Sequence, residues 1–67
     1  MAITMKAARV NAGYTQQEAA KALKISKNTL VRYETGKAVP LVTTAHEMAL
    51  LYGLSVNDII FLPTNCT

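Results

Sequence analysis

The sequence predicts an all-α fold, a compact five-helix bundle formed by a single domain that spans residues 1–67. Three observations predict this fold class. Capping residues precede most of the apolar stretches and glycines follow them. Apolar residues recur at the three- and four-residue intervals of helices. The chain is 51% hydrophobic with only three Gly and two Pro, and it lacks strand-like alternation, so we expect helices joined by short loops.

Good N-terminal caps define the first two helices. Thr4 can cap a first helix that runs to the residue before Gly13, which supplies the left-handed conformation common at helix ends. Thr15 followed by Glu18 is a capping box, in which each side chain satisfies a backbone N–H at the helix start. A second helix is therefore expected over about residues 16–23.

A three-residue turn, 24–26, leads to the third helix. Ser26 is a good cap, so we expect a helix over about residues 27–35, stopped by Gly36. A turn this short holds the second and third helices at a steep angle when small residues allow close approach, and Ala20 provides that small residue.

Two further helices are expected after the loop marked by Pro40. The fourth begins near residue 42 and ends at Gly53, and Ser55 caps a short fifth helix through about Ile60. Apolar spacing then gives the predicted core. Its members are Ala19, Ala20, Leu23, Ile25, Leu30, Tyr33, Ala45, Met48, Ala49, Tyr52, Leu54, Val56 and Ile59.

Positive charge is confined to the first half of the chain. Residues 1–37 hold seven basic and two acidic side chains, a net charge of +5, whereas residues 38–67 hold two acids and no Lys or Arg. One face suited to a polyanion and a second face with another role are therefore expected. The basic residues are Lys6, Arg9, Lys21, Lys24, Lys27, Arg32 and Lys37.

The segment 16–34, QQEAAKALKISKNTLVRYE, resembles the helix-turn-helix of the phage repressor and Cro family, also called the XRE family. The resemblance covers residues 3–60 and implies a lambda-repressor-like fold. Its motif lies at about residues 15–36, in the second and third helices, and a short tail follows at 61–67. The matching positions are Ala19, Ala20, Leu23, Ile25, Leu30, Tyr33, the run 33–37 ahead of Pro40, Ala49 and the run 53–55.

One position departs from the family pattern. Lys24 stands where the family usually has glycine at the turn. A lysine can adopt the left-handed conformation there at a cost of roughly 1 kcal/mol, and its charge would be useful near phosphates.

The exposed face of the third helix holds the candidates for base contact, because Leu30 and Tyr33 point inward. Arginine matches the two acceptors of guanine, asparagine pairs with adenine, lysine suits guanine or phosphate, and threonine can offer its methyl group to thymine. The candidates are Lys27, Asn28, Arg32 and Thr29. A solvated or phosphate-bound Arg32 remains the alternative.

The flanks of the motif hold the candidates for phosphate contact. At the start of the second helix a free backbone N–H and a side-chain amide can grip one phosphate, and the resemblance implies the same role. The candidates are Gln16, Gln17, Gly36, Lys37 and Lys24, with Lys6 and Lys21 as weaker ones. The resemblance also pairs Arg9 with Glu34 in a structural ion pair.

The second half of the chain offers apolar side chains beyond the predicted core. They suggest a homodimer interface through Leu51, Phe61 and Leu62, or else Phe61 and Leu62 fold back over the small core. His46 lacks neighbours at ligand spacing and Cys66 has no partner cysteine, so neither a metal site nor an internal disulfide is expected.

These features predict a sequence-specific transcriptional regulator, a Cro-like or short phage-type repressor, that reads the major groove of double-stranded DNA. Its operator would be two-fold symmetric and the protein a homodimer at least on DNA. No enzyme activity, cofactor, small-molecule effector or membrane association is expected, and the expected location is the cytoplasm of a bacterium or phage-infected host. The alternative is an antitoxin or adaptor whose apolar C-terminal half binds a protein.

Overall fold

A computed structural model describes residues 2–61 of the chain. Four α-helices dominate it, and a two-stranded sheet joins its two ends. The elements in chain order are β1 (Ile3–Thr4), α1 (Met5–Asn11), α2 (Gln16–Leu23), α3 (Lys27–Glu34), α4 (Val42–Tyr52), one turn of 3-10 helix (Val56–Asp58) and β2 (Ile59–Ile60).

The predicted caps explain where the helices begin. The Thr4 hydroxyl accepts a hydrogen bond from the backbone N–H of Ala7, and the Ser26 hydroxyl accepts one from that of Thr29. Thr15 and Glu18 form both bonds of the predicted capping box, at 2.9 and 3.1 Å. Local side-chain chemistry therefore fixes the starts of α1, α2 and α3.

The fifth helix predicted from Ser55 to Ile60 is wrong. The Ser55 hydroxyl does accept a hydrogen bond from the backbone N–H of Asn57, but only one 3-10 turn follows it. The chain then becomes extended at Ile59, where φ is −119° and ψ is 135°. Two β-branched residues in succession favour a strand over a helix, and a partner strand is present to pair with them.

That partner is β1, so the expectation of a purely helical domain is also wrong. The two strands run parallel, with Ile3 opposite Ile59 and Thr4 opposite Ile60. Each strand has only two residues, too few for the alternation that marks a strand in sequence. The pair ties the segment before α1 to the segment after α4.

The core lies where the helices meet, and the predicted core set is confirmed. Leu30 of α3 and Met48 of α4 are fully buried at its centre. Around them lie Met5, Ala8, Ala19, Ala20, Leu23, Ala49, Tyr52 and Ile59, with Ile25, Tyr33, Leu54 and Val56 partly buried against them. The alanines of α2, α1 and α4 let short helices approach closely, and burial of these side chains is the main stabilising term of the fold.

Candidate nucleic-acid interface

The turn between α2 and α3 sets the relative orientation of these two helices. Lys24 caps α2 in the left-handed conformation, with φ of 61° and ψ of 39°. The backbone N–H of Ile25 donates to the carbonyl oxygen of Ala20 at 3.0 Å, which closes the end of the helix. Lys24 is the one non-glycine residue with positive φ in the part of the chain described here. It performs the conformational role of a glycine while carrying a charge.

The outer face of α3 carries the exposed polar side chains predicted for base contact. Lys27, Asn28 and Arg32 are all exposed, and Asn28 and Arg32 lie opposite the fully buried Leu30. Asn28 and Arg32 lie four residues apart and so share one face of the helix. Their amide and guanidinium groups offer several hydrogen-bond donors and one acceptor to a groove of DNA.

Thr29 is held differently from its neighbours on α3. It is half-buried, and its hydroxyl lies 2.8 Å from the hydroxyl of Ser26, the cap of the helix. Because the hydroxyl is engaged locally, its methyl group is the part that can offer a contact to thymine.

A shallow groove separates the outer faces of α2 and α3. Its lining residues are Gln17, Ala20, Lys21, Ile25 and Lys27. Two of them carry ammonium groups and a third carries an amide, so the groove concentrates hydrogen-bond donors beside the exposed surface of α3. Lys21, a weaker candidate for phosphate contact in the sequence, is one of these donors.

The N-terminus of α2 lies on one flank of α3. Gln17 is exposed, and Gln16 is half-buried. The capping box engages the backbone N–H groups of Thr15 and Glu18, while those of Gln16 and Gln17 belong to the first turn, which has no intrahelical acceptors. Such a terminus is suited to an anion.

The other predicted flank is the segment just after α3, where Gly36 and Lys37 use their backbone N–H groups within the chain. The Lys37 N–H donates to the carbonyl oxygen of Arg32 at 2.9 Å, and that of Gly36 donates to Tyr33 at 3.3 Å. Gly36 has a φ of 80°, the left-handed conformation that lets the chain turn away from α3. The ammonium group of Lys37 is exposed and is therefore the donor that this flank can offer to a phosphate.

Behind the interface, Arg9 and Glu34 form a buried ion pair. The Arg9 Nε lies 2.8 Å from Glu34 Oε2, and the two side chains are only 8% and 2% exposed. Arg9 also donates to the carbonyl oxygen of Tyr14 at 2.8 Å. The pair joins α1 to the last residue of α3, so it holds α3 against the body of the protein.

Gln16 extends this network by a hydrogen bond, and Tyr52 lies near it without making one within residues 2–61. The Gln16 amide donates to Glu34 Oε1 at 3.1 Å, a contact across 18 residues that no local pattern signals. The Tyr52 hydroxyl is buried and lacks a hydrogen-bond partner among the described residues. Burial raises the pKa of Tyr52 to about 12, and the nearby Glu34 carboxylate acts in the same direction.

The apolar residues predicted to form a dimer interface are largely engaged with the core. Leu51 and Phe61 are partly buried and pack against it, and Leu62 lies outside the described residues, as does Cys66. Other large apolar side chains are more exposed, and none of them is among the residues predicted for the dimer interface. They are Val10, Val39, Leu41, Val42 and Leu50, of which Leu50 is 82% exposed.

Across residues 2–61, no three His, Cys, Asp or Glu side chains are grouped so that they could bind a metal ion. His46 is exposed on α4. None of the helices in this range has the length and apolar character needed to cross a membrane.

The part of the chain that matches known proteins includes the helices described above. The family model described as helix-turn-helix matches residues 5–59. The chain is also 39% identical over 56 residues to the HTH-type transcriptional regulator ImmR of Bacillus subtilis (strain 168). That alignment covers 84% of the chain and 44% of the relative, so the chain spans less than half of the relative's length. No solved structure matches the chain.

Proposed function

Since the chain belongs to the helix-turn-helix family, we propose that it is a transcriptional regulator that binds double-stranded DNA, with α3 in the major groove. The observation that carries this proposal is the exposed polar surface of α3, formed by Asn28 and Arg32 opposite the buried Leu30 and by Lys27 at the first turn. The resemblance of the sequence to the XRE family agrees with this assignment.

In this proposal the side chains of α3 read bases. Arg32 donates two hydrogen bonds to guanine O6 and N7, and Asn28 both donates to and accepts from adenine. Lys27 contacts guanine or a neighbouring phosphate, and Thr29 contacts a thymine methyl group. Each good base contact discriminates against the wrong base by about 1–3 kcal/mol.

Phosphate contacts on both flanks then fix the register of α3 on the duplex. Gln16 and Gln17 contact one strand at the N-terminus of α2, and Lys37, just beyond Gly36, contacts the backbone on the opposite flank. Lys24 adds a cation at the turn. These contacts carry affinity and its salt dependence rather than sequence information.

We propose a repressor of the Cro-like or short phage type that acts in the cytoplasm as a homodimer on a two-fold symmetric operator. Two copies would place their α3 helices about 34 Å apart along the duplex. Leu51, Phe61 and Leu62 remain the proposed interface, although the first two retain only part of their surface for a partner. Sedimentation equilibrium over a concentration series tests the interface, and a monomer at tens of micromolar, both alone and with a symmetric duplex, would contradict it.

Selection of bound sequences from a random DNA pool tests the function as a whole. Arg32→Ala should relax specificity at one base pair by about 1–3 kcal/mol, because a single side chain reads that pair. Lys37→Ala is the matched control: it should weaken all sequences alike and reduce the slope of log affinity against log salt by about 1. Equal losses across all sequences for Arg32→Ala would remove this residue from the base-reading set.

A second candidate function is an antitoxin or adaptor that binds a protein through its apolar face. The observation that favours it is the 82% exposed Leu50, which borders a groove between α2 and α4. Salt dependence separates the two functions, because neutralised phosphates make affinity for DNA fall steeply with ionic strength. Binding that is insensitive to salt, or absent below micromolar protein at low salt, would favour the adaptor.

A further inference from the structure

We infer that Glu34 is a positioning residue for DNA contact: its carboxylate fixes the amide of Gln16 with one N–H toward itself and the second N–H available to a phosphate. The inference rests on the proposed function, in which Gln16 contacts the DNA backbone. It adds a role for Glu34 beyond its ion pair with Arg9.

The hydrogen bonds of the Glu34 carboxylate support this positioning role. Glu34 Oε2 accepts from Arg9 Nε at 2.8 Å, and Glu34 Oε1 accepts from Gln16 Nε2 at 3.1 Å. A second guanidinium nitrogen of Arg9 lies 3.4 Å from Oε1. Both carboxylate oxygens are thus occupied, Oε2 by Arg9 and Oε1 by Gln16 together with the second nitrogen of Arg9, and the side chain of Glu34 is only 2% exposed. Its position is fixed from two directions.

The chemistry of the carboxylate decides which way the Gln16 amide faces. A carboxylate paired with an arginine accepts hydrogen bonds and donates none, so the amide nitrogen of Gln16, rather than its oxygen, must face it. The nitrogen carries two hydrogens, and Glu34 uses one. An ordered donor therefore remains at the N-terminus of α2, and the rotamer freedom that glutamine would lose on binding is already reduced.

Arg9 makes this arrangement compatible with a nearby phosphate. An unpaired carboxylate beside the proposed phosphate contact would repel the DNA backbone. The guanidinium of Arg9 neutralises Glu34 at 2.8 Å, so the carboxylate can orient Gln16 without opposing the ligand. Gln16 is the first residue of α2 and Glu34 the last of α3, so their bond couples the phosphate contact to the base-reading helix.

A double-mutant cycle tests the inference. It uses a background variant that lacks the Glu34 carboxylate and also lacks the Arg9 guanidinium, so that no unpaired charge is left buried. The background is Arg9→Met with Glu34→Leu, because buried ion pairs are often replaced by apolar residues of similar volume without loss of stability. The probe is a 15-base-pair duplex of mixed sequence at low salt. Gln16→Ala should weaken binding about tenfold in the wild-type protein and less than about threefold in the background.

Gln17→Ala is the matched control, since Gln17 lies in the same helical turn and does not donate to Glu34. The loss of affinity for the duplex that Gln17→Ala causes should be the same in the wild type and in the background. Equal losses for Gln16→Ala in the two settings would overturn the inference while leaving the proposed function intact. Wild-type protein that fails to bind the duplex in a salt-dependent way would instead overturn the proposed function, and this inference with it.

Nuclear magnetic resonance of the wild-type protein provides a test that does not depend on whether the Arg9→Met, Glu34→Leu protein folds. The two side-chain amide protons of Gln16 should differ from those of exposed Gln17 in the free protein, because only Gln16 donates to a carboxylate. On addition of the duplex, one Gln16 proton resonance should shift strongly and its partner should not. Two equally shifted resonances, or free Gln16 resonances that match those of Gln17, would overturn the inference.

Discussion

Replacing Lys24 by glycine should stabilise the protein, although it removes a side chain and adds none. Lys24 adopts the left-handed conformation, with φ of 61°. The hydrogen bonds at this turn, from the N–H groups of Lys24 and Ile25 to the carbonyl oxygens of Lys21 and Ala20, involve only backbone atoms. The substitution therefore relieves backbone strain and leaves the turn's hydrogen bonds in place.

Two opposing terms set the size of the effect. A residue with a Cβ atom costs about 1–2 kcal/mol in the left-handed conformation. Glycine adds freedom to the unfolded chain, which costs about 0.5–1 kcal/mol. The difference favours the Lys24→Gly protein by about 0.5–1 kcal/mol, which for a domain of this size raises Tm by about 2–8 °C.

Thermal unfolding followed by circular dichroism measures this effect against two matched variants. Lys24→Ala removes the same charge but keeps the Cβ atom, so its Tm should stay close to that of the wild type. Lys21→Gly makes the same chemical change three residues earlier, inside α2, and should cost about 1 kcal/mol. A lower Tm for Lys24→Gly than for the wild type, or an equal rise for Lys24→Ala, would refute the strain argument.

Two further predictions concern the buried network. Glu34→Ala should cost about 3–5 kcal/mol in urea unfolding because it strands the Arg9 guanidinium, and a loss below about 1 kcal/mol would contradict a buried role for the pair. The pKa of Tyr52 is raised from 10.0 to about 12, so the unfolded chain loses this proton first as pH rises. The free energy of unfolding should therefore fall by about 2 kcal/mol between pH 10 and 12, and Tyr52→Phe should remove that fall. An unchanged pH profile in the Phe variant would assign the fall to other groups.

The helices that the sequence predicted well are those with their own local signals. The Thr15 and Glu18 capping box, the Ser26 cap and Gly53 at the end of α4 all act within one helical turn, so they are visible in a short window of sequence. The left-handed Lys24 was expected from the family resemblance, because the family usually has glycine at this position of the turn.

The predictions that failed depend on contacts between distant parts of the chain. Ser55 is a genuine cap, yet the helix expected after it gives way to a strand because Ile59 finds Ile3 beside it. A partner 56 positions away stabilises the extended conformation that two successive β-branched residues favour, and a short window of sequence does not reveal that partner.

The candidate site also has features that the sequence predicts and features that depend on packing between distant residues. Its exposed face follows from the 3.6-residue period of α3, so Lys27, Asn28 and Arg32 could be named from sequence. The bond between Gln16 and Glu34 could not, because it requires the packing of α2 against α3 and α1 to be known first. The family resemblance did imply the buried Arg9–Glu34 pair, so what was missed of the internal support is the bond that links Gln16 to it.

The parallel pair of β1 and β2 has a consequence for the order in which the chain folds. Pairing Ile3 with Ile59 closes nearly the whole chain into a ring, at an entropic cost that grows as the logarithm of ring size and reaches about 3–4 kcal/mol here. The contacts between α2 and α3 close only a short turn. We therefore expect the two motif helices to associate first and the strands to meet after the rate-limiting step, so that Ile59→Val accelerates unfolding in stopped-flow experiments and leaves the refolding rate unchanged.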